Sequence, residues 1–176
     1  MAGAFRGGDR RAFAELVRVH GVRVRALLVR LVASRDDADD LLQEVFVRAW
    51  KRREQFDGRG SVEGWLLRIA VNLARDHGRA KRRPTDPLDA ERDVDRGAGP
   101  EGHARGRELT AALRASLARL PHRLRAALVL RVVEERPYDE VARILGLAPG
   151  TVRIQVMKAR RRLAAELAPW LEGGES

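Results

Sequence analysis

Residues 138–163 carry the pattern that most restricts the fold: two amphipathic helices separated by a glycine turn. Val141 and Ile144 place apolar groups on one face of the first helix. Gly146 follows, and glycine most readily adopts the left-handed conformation that ends a helix. Pro149 suits the first position of the next helix, where its missing N–H is not needed. This stretch therefore predicts a helix, a tight turn and a second helix.

The second helix of this pair is apolar on one face and basic on the other. Its apolar positions recur at three- and four-residue spacing, which predicts a buried face; they are Val152, Val156, Ala159 and Leu163. The other face carries Arg153, Lys158, Arg160, Arg161 and Arg162. A basic second helix after a glycine turn is typical of a DNA-binding helix-turn-helix, although a charge run can also be only a solvated face.

The net charge of the whole chain favours the same interpretation. At +10, with an isoelectric point near 11.3, the chain should bind a polyanion. Nucleic acid fits better than a membrane because no apolar run approaches the length of a spanning helix. The absence of cysteine excludes disulfides and thiolate metal sites, and no secretory signal is visible, so a cytoplasmic location is expected.

Three further amphipathic helices are predicted before residue 84. Their predicted N-terminal caps are Asp9, Ser34 and Ser61, and Asp37 follows Ser34 in a capping-box pattern. Apolar residues at helical spacing follow each cap. They are Phe13, Leu16, Val17, Val24, Leu27, Leu28 and Leu31; then Ala38, Leu41, Leu42, Val45, Phe46, Ala49 and Trp50; then Trp65, Leu66, Ile69, Ala70 and Leu73.

Two of these helices have strongly charged outer faces. The helix after Ser34 begins with the acidic run 36–40, which partly serves the helix dipole. The helix after Ser61 becomes basic toward its end, more than the dipole requires, which predicts a surface that follows phosphates. Its basic residues are Arg68, Arg75, Arg79, Lys81, Arg82 and Arg83.

Residues 84–106 are predicted to be a flexible linker because proline and glycine are frequent and apolar residues few. Residues 84–101 hold six acidic and two basic side chains, so this linker is acidic between two basic blocks. Helical spacing returns after it at Leu109, Leu113, Leu117 and Leu120, and at Leu124, Ala127, Leu128 and Val132. No strand pattern appears. We predict an all-α chain of two small helical domains, 1–83 and 107–171.

An enzyme is a weaker alternative. The run 36–40, DDADD, could hold magnesium for diphosphate chemistry, but a metal site needs several oxygen ligands converging in a pocket. The four histidines are scattered, and no phosphate loop or nucleophile motif is present. We therefore expect no catalytic residue, no metal and no cofactor.

Three stretches of the chain resemble the extracytoplasmic-function (ECF) sigma factors, which we take as the smallest group within the housekeeping sigma family of bacterial RNA polymerase. The stretches are SRDDADDLLQEVFVRAW, FDGRGSVEGWLLRIAVNLARDHGRAKRR and LPHRLRAALVLRVVEERPYDEVARILGLAPGTVRIQVMKARRRL. The resemblance implies that region 2, the first domain, binds polymerase and opens the −10 element. It implies that region 4, the second domain, reads the −35 element through the helix-turn-helix.

The resemblance also implies partners and site residues. The partners are core RNA polymerase (its clamp coiled coil and flap), promoter DNA and an anti-sigma factor, with no membrane and no enzymatic activity. The polymerase would contact Asp37, Asp40, Leu41, Gln43, Glu44 and Arg48. The −10 strand would contact Phe56, Asp57, Gly58, Arg59, Gly60, Ser61, Arg68, Asn72, Asp76, Arg79, Arg82 and Arg83. Trp65 lies beside them, but its spacing, like that of Trp50, favours the core.

The recognition helix departs from the usual family sequence after Gly-Thr-Val, where Lys-Ser-Arg-Leu is expected. Here Ile154 and Met157 are apolar although they lie outside the buried stripe of the helix, and Gln155 stands where an arginine is expected. We expect the −35 element to contact Pro149, Thr151, Arg153, Ile154, Gln155, Met157, Lys158, Arg160 and Arg161. In the major groove, apolar groups contact the thymine methyl, Gln pairs with adenine and Arg pairs with guanine. Lys158, Arg160 and Arg161 would instead bind phosphates.

A free-standing helix-turn-helix regulator remains the alternative to a sigma factor. It would account for residues 107–171 but would leave the pattern in residues 34–83 unexplained.

Overall fold

The computed structural model describes residues 2–58, 60–81 and 104–172. Eight α-helices lie within these ranges: α1 Ala2–Arg6, α2 Arg10–Leu31, α3 Arg35–Lys51, α4 Val62–Lys81, α5 Ala104–Arg119, α6 His122–Leu128, α7 Tyr138–Leu145 and α8 Pro149–Glu172. A 3₁₀ turn, Arg53–Gln55, follows α3, and a π-helix, Val129–Val133, continues α6. These ranges contain no strand, which confirms the all-α prediction. Arg59, Arg82, Arg83 and most of the predicted linker lie outside the described residues.

The three predicted helix caps are confirmed. The Asp9 carboxylate accepts hydrogen bonds from the first-turn amides of α2, the nearer at 2.7 Å. Ser34 Oγ accepts from the Asp37 amide at 3.0 Å, and Ser61 Oγ accepts from the Gly64 amide at 3.0 Å. Each cap satisfies an amide that has no partner inside its own helix.

Helices α2, α3 and α4 pack pairwise to form the first half of the molecule. Their buried faces match the predicted apolar stripes, with Leu27, Val45 and Leu66 fully buried. Trp50 and Trp65 are partly buried against this core, as their spacing predicted.

Helices α5 to α8 form the second half, in which α8 packs mainly on α6. The predicted burial of Val132 is wrong: its side chain is 42% exposed. The reason is the π-helix, whose wider turn shifts the phase of the residues that follow. Leu113 is also more exposed than its spacing predicted, at 38%. Helix α5 begins at Ala104, three residues before the predicted start of the second domain.

The helix-turn-helix has the predicted geometry. Gly146 ends α7 in the left-handed conformation, with φ 65° and ψ 41°. The Leu147 amide donates to the Ala142 carbonyl at 2.9 Å, which satisfies a carbonyl in the last turn of α7. Pro149 is the first residue of α8, and Leu147 packs between the helices and the core.

The two halves are in contact. Helix α7 packs on α4, and α6 packs on both α2 and α4. Buried residues of both halves belong to one continuous core cluster, from Leu27 and Leu73 to Ala127 and Val156.

Candidate nucleic-acid and partner interfaces

The acidic start of α3 divides into an inward and an outward set. Asp37 is turned inward, where its carboxylate binds Lys81 Nζ at 2.7 Å and lies 3.3 Å from His77 Nε2, both on α4. Burial alone would raise the pKa of Asp37, but the hydrogen bonds from Lys81 and Ser34 and the charge of His77 together lower it. Asp37 therefore joins α3 to α4.

Leu41 is also turned inward, and is only 8% exposed in the core. The outward set contains Asp40 and Gln43, which are exposed, and Glu44, which binds Arg48 at 2.6 Å. The outward side chains lie three and four residues apart and so occupy one face of α3. Of the six residues predicted to meet the polymerase, four lie on this outer face.

Val47 lies on the same outer face and is 44% exposed. It follows Gln43 by four residues and Asp40 by seven, so it extends their row by one turn. The sequence analysis missed Val47, although it was detectable as an apolar residue outside the buried stripe of α3. An exposed valine beside carboxylates gives this face both charge and apolar contact area.

The segment between α3 and α4 contains the predicted −10 loop. Phe56 is 3% exposed and packs against Trp65, with ring centroids 5.5 Å apart and the rings tilted by 54°, so it is part of the core in this arrangement. Asp57, Gly58, Gly60 and Ser61 are exposed. Gly58 and Gly60 have φ values of 74° and 102°, where other residues are strained. Arg59 lies outside the described residues.

One face of α4 carries the remaining described −10 residues in a row. Arg68, Asp76 and Arg79 are exposed and Asn72 is half-buried; these positions are three or four residues apart. Asp76 is bound by its neighbour Arg75 at 3.1 Å, which leaves Arg68 and Arg79 as the main positive groups of this face. A basic groove beside polar side chains suits a nucleic-acid strand.

A cleft of about 1160 Å³ lies between this region and the helix-turn-helix. The first half contributes the Arg68–Asn72 stretch of α4 and, from the loop before α4, Phe56, Asp57, Gly60 and Ser61. The second half contributes Arg143, Gly146 and Pro149. The −10 loop and the −10 face of α4 therefore lie across this cleft from α7 and the turn of the helix-turn-helix, and Pro149 is the residue predicted to contact the −35 element that lines it.

Most side chains predicted to contact the −35 element are exposed on α8. They are Thr151, Arg153, Ile154, Met157, Lys158, Arg160 and Arg161. Ile154 and Met157 are 51% and 62% exposed, which confirms that they lie outside the buried stripe. Pro149 and Gln155 are half-buried, and Gln155 Oε1 is buried with no hydrogen-bond partner among the described residues.

The carboxylates of the DDADD run do not converge on a common point. Asp37 turns toward α4, and Asp39 binds Arg25 of α2 at 2.5 Å. Among the described residues, no group of three or more acidic, histidine or cysteine side chains is arranged to hold a metal ion. Nor is any helix in those ranges long and apolar enough to cross a membrane.

Two family models match the two halves in order. Residues 16–84 match Sigma-70 region 2, and residues 110–163 match Sigma-70, region 4. The chain is 34% identical to the ECF RNA polymerase sigma-E factor of Haemophilus influenzae, and the match covers 92% of this chain and 90% of that protein. The chain belongs to the ECF sigma factors of bacterial RNA polymerase. It thus directs transcription initiation as an alternative sigma factor.

Other relatives of this sigma factor agree with the assignment. It is 32% identical to the RNA polymerase sigma-H factor of Pseudomonas aeruginosa, over 93% of this chain and 90% of the relative. The term "housekeeping" in the predicted resemblance is wrong, because the relatives from Haemophilus influenzae and Bacillus subtilis are named as ECF sigma factors. The free-standing regulator is not favoured, since residues 16–84 match region 2.

Two solved structures resemble the sigma factor over nearly its whole length. The sigma factor RpoE of Bartonella quintana, solved in complex with the anti-sigma factor NepR, has a TM-score of 0.75 at 24% identity and covers 90% of this chain and 98% of its own. CnrH, solved in complex with the cytosolic domain of CnrY, has a TM-score of 0.72 at 28% identity and covers 96% of this chain and 95% of its own.

Proposed function

We propose that this sigma factor docks on core RNA polymerase through the outer face of α3. The face consists of Asp40, Gln43, Val47 and the Glu44–Arg48 pair. It is acidic in a strongly basic chain, which supports attraction to a basic surface of a protein rather than to DNA. Asp37 and Leu41 contribute indirectly, by holding α3 on α4 and on the core. The docking target is the clamp coiled coil, and region 4 meets the flap.

The −10 element is bound by the exposed row on α4 and by the loop beside it. Arg68 and Arg79 hold the phosphates of the opened strand, and Asn72 offers an amide to a base. In the loop before α4, Asp57 and Ser61 supply exposed polar groups, and Gly58 and Gly60 allow close approach of the backbone. Phe56 stays in the wall beneath them unless the loop moves.

The −35 element is bound in the major groove by α8, the recognition helix of the helix-turn-helix. Arg153, Ile154 and Met157 reach base edges, whereas Lys158, Arg160 and Arg161 hold phosphates and fix the register. The observation that carries the whole proposal is the separation of charge: one acidic outer face on α3, and basic faces on α4 and α8.

The sigma factor has no enzymatic activity of its own and acts in the cytoplasm, where its polymerase is. An anti-sigma factor is a partner, because the RpoE structure that shares this fold was solved with one bound.

The test is initiation by purified core polymerase on a promoter library with added sigma factor. We expect new transcript starts that share −35 and −10 elements. Asp40→Lys should weaken core binding because it places a cation on the acidic docking face. Glu15→Lys is the matched control, since Glu15 is an α2 carboxylate paired within its own helix at 2.5 Å. Equal core affinity of both variants would contradict docking by α3.

A further inference from the structure

The short N-terminal helix α1 places one aromatic ring inside the core of region 2. Phe5 is fully buried, although α1 has only five residues and the flanking Ala4 and Arg6 are exposed. The Phe5 ring stacks on that of Phe13 in α2, with centroids 6.1 Å apart and planes inclined by 16°. It also makes an edge-on contact with Trp65 of α4, again with centroids 6.1 Å apart. Phe5 therefore joins α1 to both α2 and α4.

Trp65 continues this contact to the −10 loop. The ring of Phe56, the first residue of that loop, packs against Trp65 with centroids 5.5 Å apart. Trp65 and Phe56 line the cleft described above, whereas Phe5 has no exposed surface and lies beneath them. The three rings thus form a row from the interior of region 2 to the surface proposed to bind the −10 strand.

The turn after α1 contacts the segment that leads into the same loop. Gly8 has φ 84°, and a Cβ placed on it would lie 3.4 Å from Nε of Arg53, which begins the 3₁₀ turn before the loop. Arg53 is itself held in place, because it donates to the Trp50 carbonyl at 3.1 Å and its Cζ lies 4.9 Å from the centroid of the Trp50 ring. Residues 5–8 therefore contact both the entry to the −10 loop and the ring that supports its first residue.

The tip of the −10 loop has little packing of its own. Gly58 and Gly60 have positive φ values, and among the described residues no atom would lie within 4 Å of a Cβ on either. Ordering such a segment when DNA binds costs conformational entropy, and a loop that is held in place beforehand avoids part of that cost. The shape of this loop before binding therefore depends on how firmly its two ends are fixed.

We propose that Phe5 is a positioning residue for −10 recognition: through Trp65 it holds Phe56, and with it the −10 loop, in the shape that receives a base of the opened strand. Phe5 touches no DNA itself, because it has no exposed surface. Gly8 supports the loop from its other side, by letting the turn after α1 pack on Arg53. The inference rests on the proposed function in that it takes the loop before α4 as part of the −10 surface.

A purely structural role for Phe5 predicts a different result. Lost core packing would destabilise region 2 as a whole and would weaken binding to every −10 strand alike. A loosened loop would instead reduce the contribution of the one base that the loop receives, because an unstacked base is held by a preformed pocket. The two roles therefore differ in how the loss of affinity depends on the base.

The test uses holoenzyme assembled from core polymerase and the full chain, with fluorescent single strands that carry the −10 element. One strand is intact, and each of the others lacks the base at a single position. Phe5→Leu keeps the site apolar and buried but removes the ring contacts. Phe46→Leu is the matched control, because it makes the same change in the same core, where the Phe46 ring contacts Phe13. A second pair compares Gly8→Ala with Gly3→Ala, since a Cβ on Gly3 would meet nothing within 4 Å.

We expect Phe5→Leu to weaken binding of the intact strand about two- to tenfold, the range that corresponds to one aromatic pair. The loss should disappear for the strand that lacks one particular base and should persist for the others, which is coupling between Phe5 and that base. Gly8→Ala should show coupling at the same position, and it gives the test independently if Phe5→Leu does not fold. Phe46→Leu and Gly3→Ala should show no coupling to any single base. Urea unfolding measures the stability of each variant.

Two results would overturn the positioning role. One is unchanged affinity of the folded Phe5→Leu and Gly8→Ala variants for the intact strand. The other is a loss that is equal for all strands, which would mean that Phe5 only stabilises the core. Wild-type holoenzyme that binds no −10 strand and initiates at no promoter would overturn the proposed function instead. Normal wild-type binding with no coupling in Phe5→Leu would overturn the positioning role alone.

Discussion

The guanidinium of Arg153 lies over the ring of Tyr138, with its Cζ 5.1 Å from the ring centroid. Arg153 is on the recognition helix, and Tyr138 is the first residue of α7. The same ring is approached by Arg131 of the π-helix at 4.9 Å. Cation–π contacts at these distances restrict a long, flexible side chain. Tyr138 is therefore a positioning residue for Arg153.

We expect Tyr138→Leu to weaken binding of a −35 duplex about two- to fivefold, corresponding to the 0.5–1 kcal/mol typical of an exposed cation–π contact. Tyr138→Phe keeps the ring and should bind like the wild type. Fluorescence anisotropy with labelled duplexes measures both. In a double-mutant cycle, Tyr138→Leu should cost little once Arg153→Ala is present. Full additivity of the two changes would contradict the positioning role.

The elements that were predictable from the sequence are those determined by local chemistry. Asp9, Ser34 and Ser61 cap helices because their side chains reach amides two or three residues ahead. Gly146 ends α7 because few other residues adopt its positive φ. The exposure of Ile154 and Met157 follows from the 3.6-residue period alone.

What was not predictable depends on contacts between distant segments. Nothing near Asp37 in the sequence indicates that Lys81, 44 residues away, binds it. The family resemblance assigned Phe56 to the −10 strand, whereas its ring packs against Trp65 in the core. The spacing of an α-helix predicted that Val132 is buried, but the π-helix Val129–Val133 changes that spacing and Val132 is exposed. The packing of region 4 on region 2 combines a shared apolar core with ion pairs between distant residues, which no local pattern reveals.

Mutation should distinguish the inward carboxylate of α3, Asp37, from the outward one, Asp40. Asp37→Asn should lower the free energy of unfolding by about 1 kcal/mol, because it removes the charged bond between the half-buried carboxylate and the exposed Lys81 ammonium. Asp40→Asn should leave stability unchanged and weaken binding to core polymerase. Urea unfolding and a core-binding titration distinguish them. If Asp37→Asn is as stable as the wild type, Asp37 does not clamp α3 to α4.

The stabilisation by Asp37 should also depend on pH. Its pKa is lowered in the folded chain, so its contribution is present above the ordinary value of 3.8 and is lost as the pH falls through the lowered value. The difference in unfolding free energy between wild type and Asp37→Asn should therefore shrink in strong acid. A pH-independent difference would mean that the lost interaction is not the carboxylate's charge.

His122 makes the contact between the two halves depend on pH. It begins α6, and its ring is hydrogen-bonded to the backbone carbonyl of Val71 in α4. Burial, aided by the charges of Arg125 and Arg75 and opposed by Val71 and Asp76, lowers the pKa of His122 to about 4. Nε2 is buried without a hydrogen-bond partner among the described residues, so protonation would add an unsatisfied donor.

The lowered pKa of His122 determines whether acid strengthens or weakens the contact between the halves. Above the ordinary pKa of 6.5, His122 is neutral whether or not it is buried, so the contact has its full strength. Between pH 6.5 and about 4, the exposed ring gains a proton that the buried ring does not, which favours separation of the halves. Energy transfer between dyes attached at Lys51→Cys in α3 and Ala164→Cys in α8, both exposed positions in a chain with no native cysteine, should be lower at pH 5 than at pH 7. His122→Gln should flatten the profile; an unchanged profile would exclude His122 as its source.

Different residues of the recognition helix should contact the bases and the phosphates of the −35 element. Ile154 and Met157 project from α8 without contributing to the core, and apolar side chains in the major groove read the thymine methyl group. We expect Ile154→Ala and Met157→Ala to cost about 1–3 kcal/mol at one A·T position each. Gln155→Ala should shift base preference less, because Gln155 Oε1 is buried against its own domain.

Arg161→Ala is the matched contrast for these variants. Arg161 is exposed and assigned to a phosphate, so its loss should weaken binding to every sequence alike and reduce the salt slope by about one. Scanning each base pair of a −35 duplex at two salt concentrations measures both quantities for all four variants. If Ile154→Ala and Met157→Ala weaken all duplexes equally, the exposed apolar pair does not read bases, and a protein partner becomes the better explanation for it.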